Sequence, residues 1–272
     1  MEPKVWLITG TSKGFGREWA IAALERGDKV AATARDIKSL EDLSGKYGSS
    51  ILPISLDVKD RKACFAAVDK TLAQFGRIDV LVSNAGYGHF GYVEEISEDE
   101  AREQMETNFF GSLWIIQAAI PVMRKQKSGH IMQVSSVGGV VTFPIFGIYH
   151  ASKWAMEGLC ETLSQEVAQF GITVTIVEPG GYSTDWGTKS AKHSKPINVY
   201  DKLREARNAQ VGKIALGNPT ATGDAILKII DADNPPLRLI LGTMPWRVIE
   251  PAYKNRLETW KKWLDVSEKA QG

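Results

Sequence analysis

The chain has 272 residues, of which 43% are hydrophobic and 24% charged, and its 33 basic and 32 acidic side chains leave a formal charge of +1. That composition fills a large core and excludes a disordered chain, and the charge balance excludes an overall field that would recruit nucleic acid or an anionic membrane. Cys64 and Cys160 show neither a disulfide framework nor metal-ligand spacing, no apolar run reaches membrane-spanning length, and the amino terminus lacks the basic-then-apolar order of a signal peptide, so a cytoplasmic location is expected.

Short β-rich runs alternate with helical patterns almost from end to end, as in repeated strand-helix-strand units around a parallel sheet. The first run, Val5–Thr9, leads through Thr9-Gly10-Thr11-Ser12-Lys13-Gly14-Phe15-Gly16 into a helix expected over Phe15–Arg26. Glycines at this crossing permit a tight turn and let backbone amides approach a pyrophosphate at the positive end of the helix. The spacing is Gly-x-x-x-Gly-x-Gly rather than Gly-x-Gly-x-x-Gly, and a turn that only closes the unit is the plain alternative. The second strand, Lys29–Ala34, leaves Arg35 as the first side chain beyond it. A helix over Ile37–Tyr47 and a strand over Ile51–Ile54 follow, the strand ending near Asp57-Val58, where Asp57 suits either an adenine amino group or a turn.

The next helix, Arg61–Phe75, precedes a strand over Val80–Ser83 that ends in Asn84-Ala85-Gly86. A long helix over Asp99–Lys127 contains Asn108, and Ser97 with Glu100 forms either a capping box at its start or a chance match. The strand His130–Val134 ends near Ser136, the helix Tyr149–Phe170 carries Tyr149 and Lys153, and the strand Thr173–Val177 runs into Pro179-Gly180-Gly181-Tyr182-Ser183-Thr184. Residues 180–219 are irregular, as a lid would be, with a helix from Asp201 to about Lys213. The last strand, Leu237–Leu241, precedes a tail over residues 243–272, whose apolar residues from Trp246 to Val266 suit core packing or a subunit contact. The unalternating apolar strands imply helices on both faces, hence a single α/β domain with a doubly wound parallel sheet of about seven strands.

Of the seven tyrosines only Tyr149 has a lysine four residues later; Tyr200 with Arg204 is the nearest imitation. That spacing puts the Lys153 ammonium and the Tyr149 phenol on one helix face, where the cation is expected to favour phenolate. The glycine turn, Asn84-Ala85-Gly86, Ser136, Tyr-x-x-x-Lys and the Pro179-to-Thr184 segment, in this order, resemble the short-chain dehydrogenase/reductase family from Val5 to Thr184.

The resemblance implies a Rossmann-type fold and an oxidoreductase that interconverts a ketone or aldehyde and an alcohol by hydride transfer. Tyr149 would be the proton donor/acceptor, with Ser136, Lys153 and Asn108 completing the catalytic set, Asn108 by positioning a water. Cofactor contacts would come from Gly10, Ser12, Lys13, Gly14, Phe15 and Gly16 in the turn, from Arg35, from Asp57 and Val58, and from Asn84, Ala85 and Gly86. Tyr149, Lys153, Pro179, Gly180, Tyr182 and Thr184 would complete them. Arg35 and Lys13 favour NADP(H), because a ribose 2′-phosphate needs a cation where NAD needs a carboxylate.

Tyr87, His89, Phe90, Val140, Phe143, Phe146, Tyr182 and Trp186 suggest an apolar or aromatic small-molecule substrate. No metal site, nucleic-acid partner or membrane partner is expected. The family's habit of pairing through long helices implies a homodimer or homotetramer. The competing readings are a catalytically silent NADP-binding regulator, an NAD-dependent alcohol dehydrogenase, and a dehydratase or epimerase on a related fold.

Overall fold

The structure, a computed structural model, describes residues 2–211 and 215–272, so the last expected residues of the helix beginning at Asp201 lie outside the described residues. The strands are β1 (Val5–Ile8), β2 (Lys29–Ala34), β3 (Ile51–Ser55), β4 (Val80–Ser83), β5 (His89–Phe90), β6 (Gly129–Val134), β7 (Ile172–Pro179), β8 (Lys192–His193) and β9 (Arg238–Leu241). The helices are α1 (Gly14–Glu25), α2 (Glu41–Tyr47), α3 (Arg61–Phe75), α4 (Glu98–Met105), α5 (Gly111–Gln126), α6 (Gly147–Val167), α7 (Asp201–Val211), α8 (Thr222–Ile230), α9 (Met244–Lys262) and α10 (Leu264–Lys269).

Seven strands form one parallel sheet in the order β3-β2-β1-β4-β6-β7-β9, a single Rossmann-like α/β domain. Pro53, which cannot donate to a ladder, sits in edge strand β3, where only β2 pairs with it. The side-chain alternation of a strand divides the core in two. In β1, Leu7 joins the cluster with Ile115 and Met156 on one face, whereas Trp6 and Ile8 join Trp19 and Ile226 on the other. The buried indole N–H groups have partners: Trp6 donates to Asp28 at 2.8 Å and Trp19 to Thr222 at 2.7 Å. Cys64 and Cys160 are free and buried, in keeping with packing residues.

Three departures from the sequence expectations bear on the site. The long helix is α4 and α5 joined by a π-helical turn, Glu106–Phe110, which contains Asn108. Strands β5 and β8 form a separate two-stranded sheet that ties residues 89–90 to 192–193. Two residues are too short for a periodicity to reveal. In the tail, Val248 and Ile249 are half-buried, but Trp246, Leu257, Trp260 and Leu264 are exposed, so most of the expected apolar stripe does not pack on this chain. The capping box of α4 forms, with Ser97 accepting from the Glu100 amide and Glu100 from the Ser97 amide at 2.9 Å.

Strand order reverses between β2-β1 and β1-β4, and in open α/β sheets a crevice opens beyond the carboxyl ends at such a point. A cleft of about 1040 Å³ lies there.

Candidate active site

One end of the cleft is made of backbone. Gly10 and Gly14 have φ of +73° and +62°, which side-chain-bearing residues rarely adopt. Gly16 is different: a Cβ there would lie 2.5 Å from both the Gly10 carbonyl and Asn84 Nδ2. It is a buried packing glycine and is absent from the cleft wall, whereas Gly10, Ser12, Lys13, Gly14 and Phe15 line it. Asn84 latches the turn, its Nδ2 donating to the Thr9 and Gly10 carbonyls at 2.8 and 3.0 Å, while Thr9 Oγ1 accepts from the Asn84 and Ala85 amides.

Helix α1 begins without a side-chain cap or an acid in its first turn, so its first amides and positive dipole end have no negative side chain to satisfy them. This cradle fits a dinucleotide phosphate bridge. Arg35, first beyond β2, lines the cleft and is exposed; Lys13 lines it too, but its ammonium lies 3.6 Å from the Asp185 carboxylate. Asp57, Val58, Asn84, Ala85 and Gly86 form the adjoining wall, and Pro179, Gly180, Tyr182 and Thr184 close it from the far side of the sheet.

At the centre, Ser136, Tyr149 and Lys153 share the wall. Tyr149 and Lys153 are 5% and 6% exposed, so solvent does little to screen either group. The Lys153 ammonium donates to the Val134 carbonyl at 2.9 Å and lies 5.8 Å from the centre of the Tyr149 ring. Ser136 Oγ accepts from the Gly138 amide at 3.0 Å, which turns the hydroxyl's remaining capacity toward Tyr149.

Burial pushes the phenol up to about 12, with the hydrogen bond to Ser136 pulling the other way. The same burial brings the Lys153 ammonium down to about 8, against the attraction of the Glu157 carboxylate one turn later. The expectation that the lysine makes this phenol acidic runs against the direction found: desolvation outweighs the Ser136 hydrogen bond, and Tyr149 is held protonated beside a lysine brought down to about 8.

Asn108 lies close by but not on the wall, and is 1% exposed. Its amide bonds the Tyr87 backbone at both ends, 3.1 and 3.0 Å, and donates to Ser152 Oγ at 3.1 Å. Both N–H donors of the side chain hold the 84–87 loop against α6.

The other end of the cleft is aromatic. Trp186 lies 4.9 Å from Tyr149 between ring centres and also packs on Phe90 and Phe146. Val140 and Phe143, expected here, are off the wall: Val140 is core and Phe143 packs on His150. His89 is also withdrawn, 1% exposed and paired with Ser194 at 2.8 Å.

Several residues of this end escaped the sequence reading. Ile145 lines the cleft with φ of +69°, a β-branched residue in the left-handed region, at a cost of about 1–3 kcal/mol. Buried Glu95 accepts from the Ile197 amide at 2.9 Å and from Arg204 at 2.5 Å, fastening residues 197–204 to the body. Arg207 stands over Phe90 and Phe146. A positive φ and a cross-chain ion pair leave no local sequence signal.

A parallel sheet with its cleft at the strand-order reversal, a glycine cradle there and Ser136 beside buried Tyr149 and Lys153 define a dinucleotide-dependent oxidoreductase architecture. Comparison with known proteins agrees: residues 4–195 match the short chain dehydrogenase family, and the chain belongs to it. It is 38% identical over 273 residues to an oxidoreductase of Botryotinia fuckeliana, spanning 97% of this chain and 98% of that one. A short-chain dehydrogenase from Streptomyces avermitilis superposes with a TM-score of 0.93 at 38% identity, covering 99% and 98% of the two chains. An alcohol dehydrogenase from Thermococcus sibiricus, solved with 5-hydroxy-NADP, superposes at 0.75 with 27% identity over 90% of this chain and 98% of that one.

Proposed function

We propose that this oxidoreductase uses NADP(H) to interconvert a ketone or aldehyde and an alcohol, with Tyr149 as the proton donor in reduction. The observation that carries the reading is the buried Tyr149 phenol on the cleft wall, flanked by Ser136 and Lys153 and facing the space beside the glycine cradle. When bound, the nicotinamide supplies the hydride. Ser136 donates to the substrate oxygen and stabilises the charge that grows on it. Tyr149, protonated throughout the neutral range, delivers the proton to that oxygen, and Lys153 holds positive charge beside the phenolate that remains. Asn108 acts by fixing the 84–87 loop and α6.

Gly10, Ser12, Gly14 and Phe15 would hold the phosphate bridge and Gly16 the shape of its turn. Arg35, with Lys13 released from Asp185, would meet the 2′-phosphate. Asp57 and Val58 would bracket the adenine, and Asn84 to Gly86 with Pro179, Gly180, Tyr182 and Thr184 would flank the remainder. The described parts of the 180–219 segment would serve as the lid, residues 212–214 lying outside the described residues. The NADP analogue held by the Thermococcus sibiricus relative supports this choice over NAD. A cytoplasmic homodimer or homotetramer completes the reading.

The test is purified protein with NADPH and a panel of ketones and aldehydes, run beside Tyr149→Phe. NADPH should be consumed, and the variant should keep its fold and bind NADPH while losing on the order of 10²–10⁴ in rate. Tight NADPH binding without turnover would favour the silent regulator; equal rates would remove Tyr149 as the donor.

A further inference from the structure

The aromatic end of the cleft holds a cation for which carbonyl reduction alone has no use. Arg207, on α7, lines the cleft with its guanidinium carbon 5.2 Å from the centre of the Phe146 ring and 5.9 Å from that of Phe90. Phe146 in turn packs on Tyr149 and Trp186, each 6.2 Å away between ring centres. The cation therefore stands one aromatic layer from the phenol, far along the wall from the glycine turn.

Arg204, one turn earlier, shows how this chain treats a guanidinium it uses for structure: it is bound to the Glu95 carboxylate at 2.5 Å. Arg207 has no such partner. Among the described residues no carboxylate lies within ion-pair distance of it, and its polar contact is the neighbouring Asn208 amide oxygen at 3.5 Å. It is half-buried, and desolvation pulls it below the ordinary arginine value, with the Tyr92 phenol opposing. Stacking on two aromatic faces offsets only part of the cost of removing water from an unpaired charge.

The surroundings do not supply the missing anion. The acids on the cleft wall are Asp57, Glu103 and Asp185, of which Glu103 faces Lys59 and Lys192 and Asp185 faces Lys13. His193, on the cleft wall, stacks on the Phe90 ring that Arg207 stands over, so the titratable group beside that ring is a base and not an acid.

We infer that Arg207 anchors a carboxylate of the substrate, so that the preferred substrate is a keto acid whose carbonyl and carboxylate are separated by an aromatic or extended apolar segment lying along Phe90, Phe146 and Trp186. The planar guanidinium fork matches a carboxylate in two parallel hydrogen bonds, which a point-like ammonium does not. Phe146 stands between Tyr149 and Arg207, 6.2 Å from one ring centre and 5.2 Å from the other's guanidinium carbon, which suits a spacer between the two ends of the substrate. This assignment rests on the carbonyl-reduction reading of the same site.

The test compares 4-acetylbenzoate, whose ring separates its carbonyl from its carboxylate, with its methyl ester, two ketones of like shape that differ in the terminal charge. Wild-type kcat/KM should favour the acid by about 10- to 100-fold, the range of a hydrogen-bonded charge pair. In Arg207→Met that ratio should collapse toward unity, and Arg207→Lys should keep an intermediate preference. Because the readout is a ratio, a general loss of activity or of folding leaves it in place.

Equal use of acid and ester by the wild type, a ratio that survives Arg207→Met, or an effect on NADPH KM larger than that on the ratio would overturn the anchor. Should no ketone of any kind be reduced, the carbonyl-reduction reading falls instead. Equilibrium binding of 4-acetylbenzoate to the protein with NADP then decides the anchor: loss of binding in Arg207→Met upholds it, and equal binding overturns it.

Discussion

The two ends of the cleft are held in place by different parts of the chain. At the glycine-turn end, the wall is backbone and strand termini: Gly10 and Gly14 in left-handed conformations, the Asn84 latch at 2.8 and 3.0 Å, and Arg35 set by the last residue of β2. At the aromatic end the wall is side chains on loops, fastened through contacts such as Glu95 with Arg204, the two-residue pairing of β5 with β8, and ring packing around Trp186. A wall of backbone tolerates almost no change and recognises a part of the ligand shared by many enzymes; a wall of side chains can be rebuilt residue by residue to suit one substrate.

The sharpest way to break this comparison is at Gly16. A single methyl group there meets a backbone oxygen and the latch at 2.5 Å, and backbone cannot swing aside as the end of a flexible side chain can. Gly16→Ala should weaken NADPH binding by about 30-fold, the equivalent of roughly 2 kcal/mol of overpacking, as read by fluorescence titration. Unaltered affinity would mean that the turn is far softer than its geometry.

A smaller effect is expected one strand over. Arg35→Ala removes a cation without moving backbone, and should lower the NADPH-over-NADH preference in kcat/KM by about tenfold while leaving NADH use nearly constant. Equal losses with both cofactors would place Arg35 outside the 2′-phosphate site.

The same contrast explains what could be read from the sequence. All seven strands of the main sheet, the glycine turn and the Tyr149–Lys153 face were legible, because each depends on residues close in the chain: unbroken apolar runs for the strands and the 3.6-residue period for the helix face. The π turn around Asn108 was not: it replaces one hydrogen-bond pattern by another inside an unbroken helical sequence. Nor were Ile145, the Glu95–Arg204 fastening or the unpaired state of Arg207, each of which exists only once distant segments meet. His89, Val140 and Phe143 were placed at the substrate because they are near it in sequence, and packing drew them away.

The sign of the Tyr149 shift was missed for a related reason. Spacing reveals a neighbouring cation, but burial, which here is the stronger influence on both groups, is a property of the whole fold.

That sign is open to direct measurement in the pH dependence of kcat/KM for ketone reduction by NADPH. Lys153, brought down to about 8, carries its charge below that pH and loses it above, while Tyr149, pushed up to about 12, keeps its proton across the whole range. The rate should be level through neutral pH and fall along a single limb centred near 8. Phenolate absorbance of the wild type minus that of Tyr149→Phe should stay flat along that limb; a phenolate signal rising with it would contradict the assignment of Tyr149 as a buried, protonated acid.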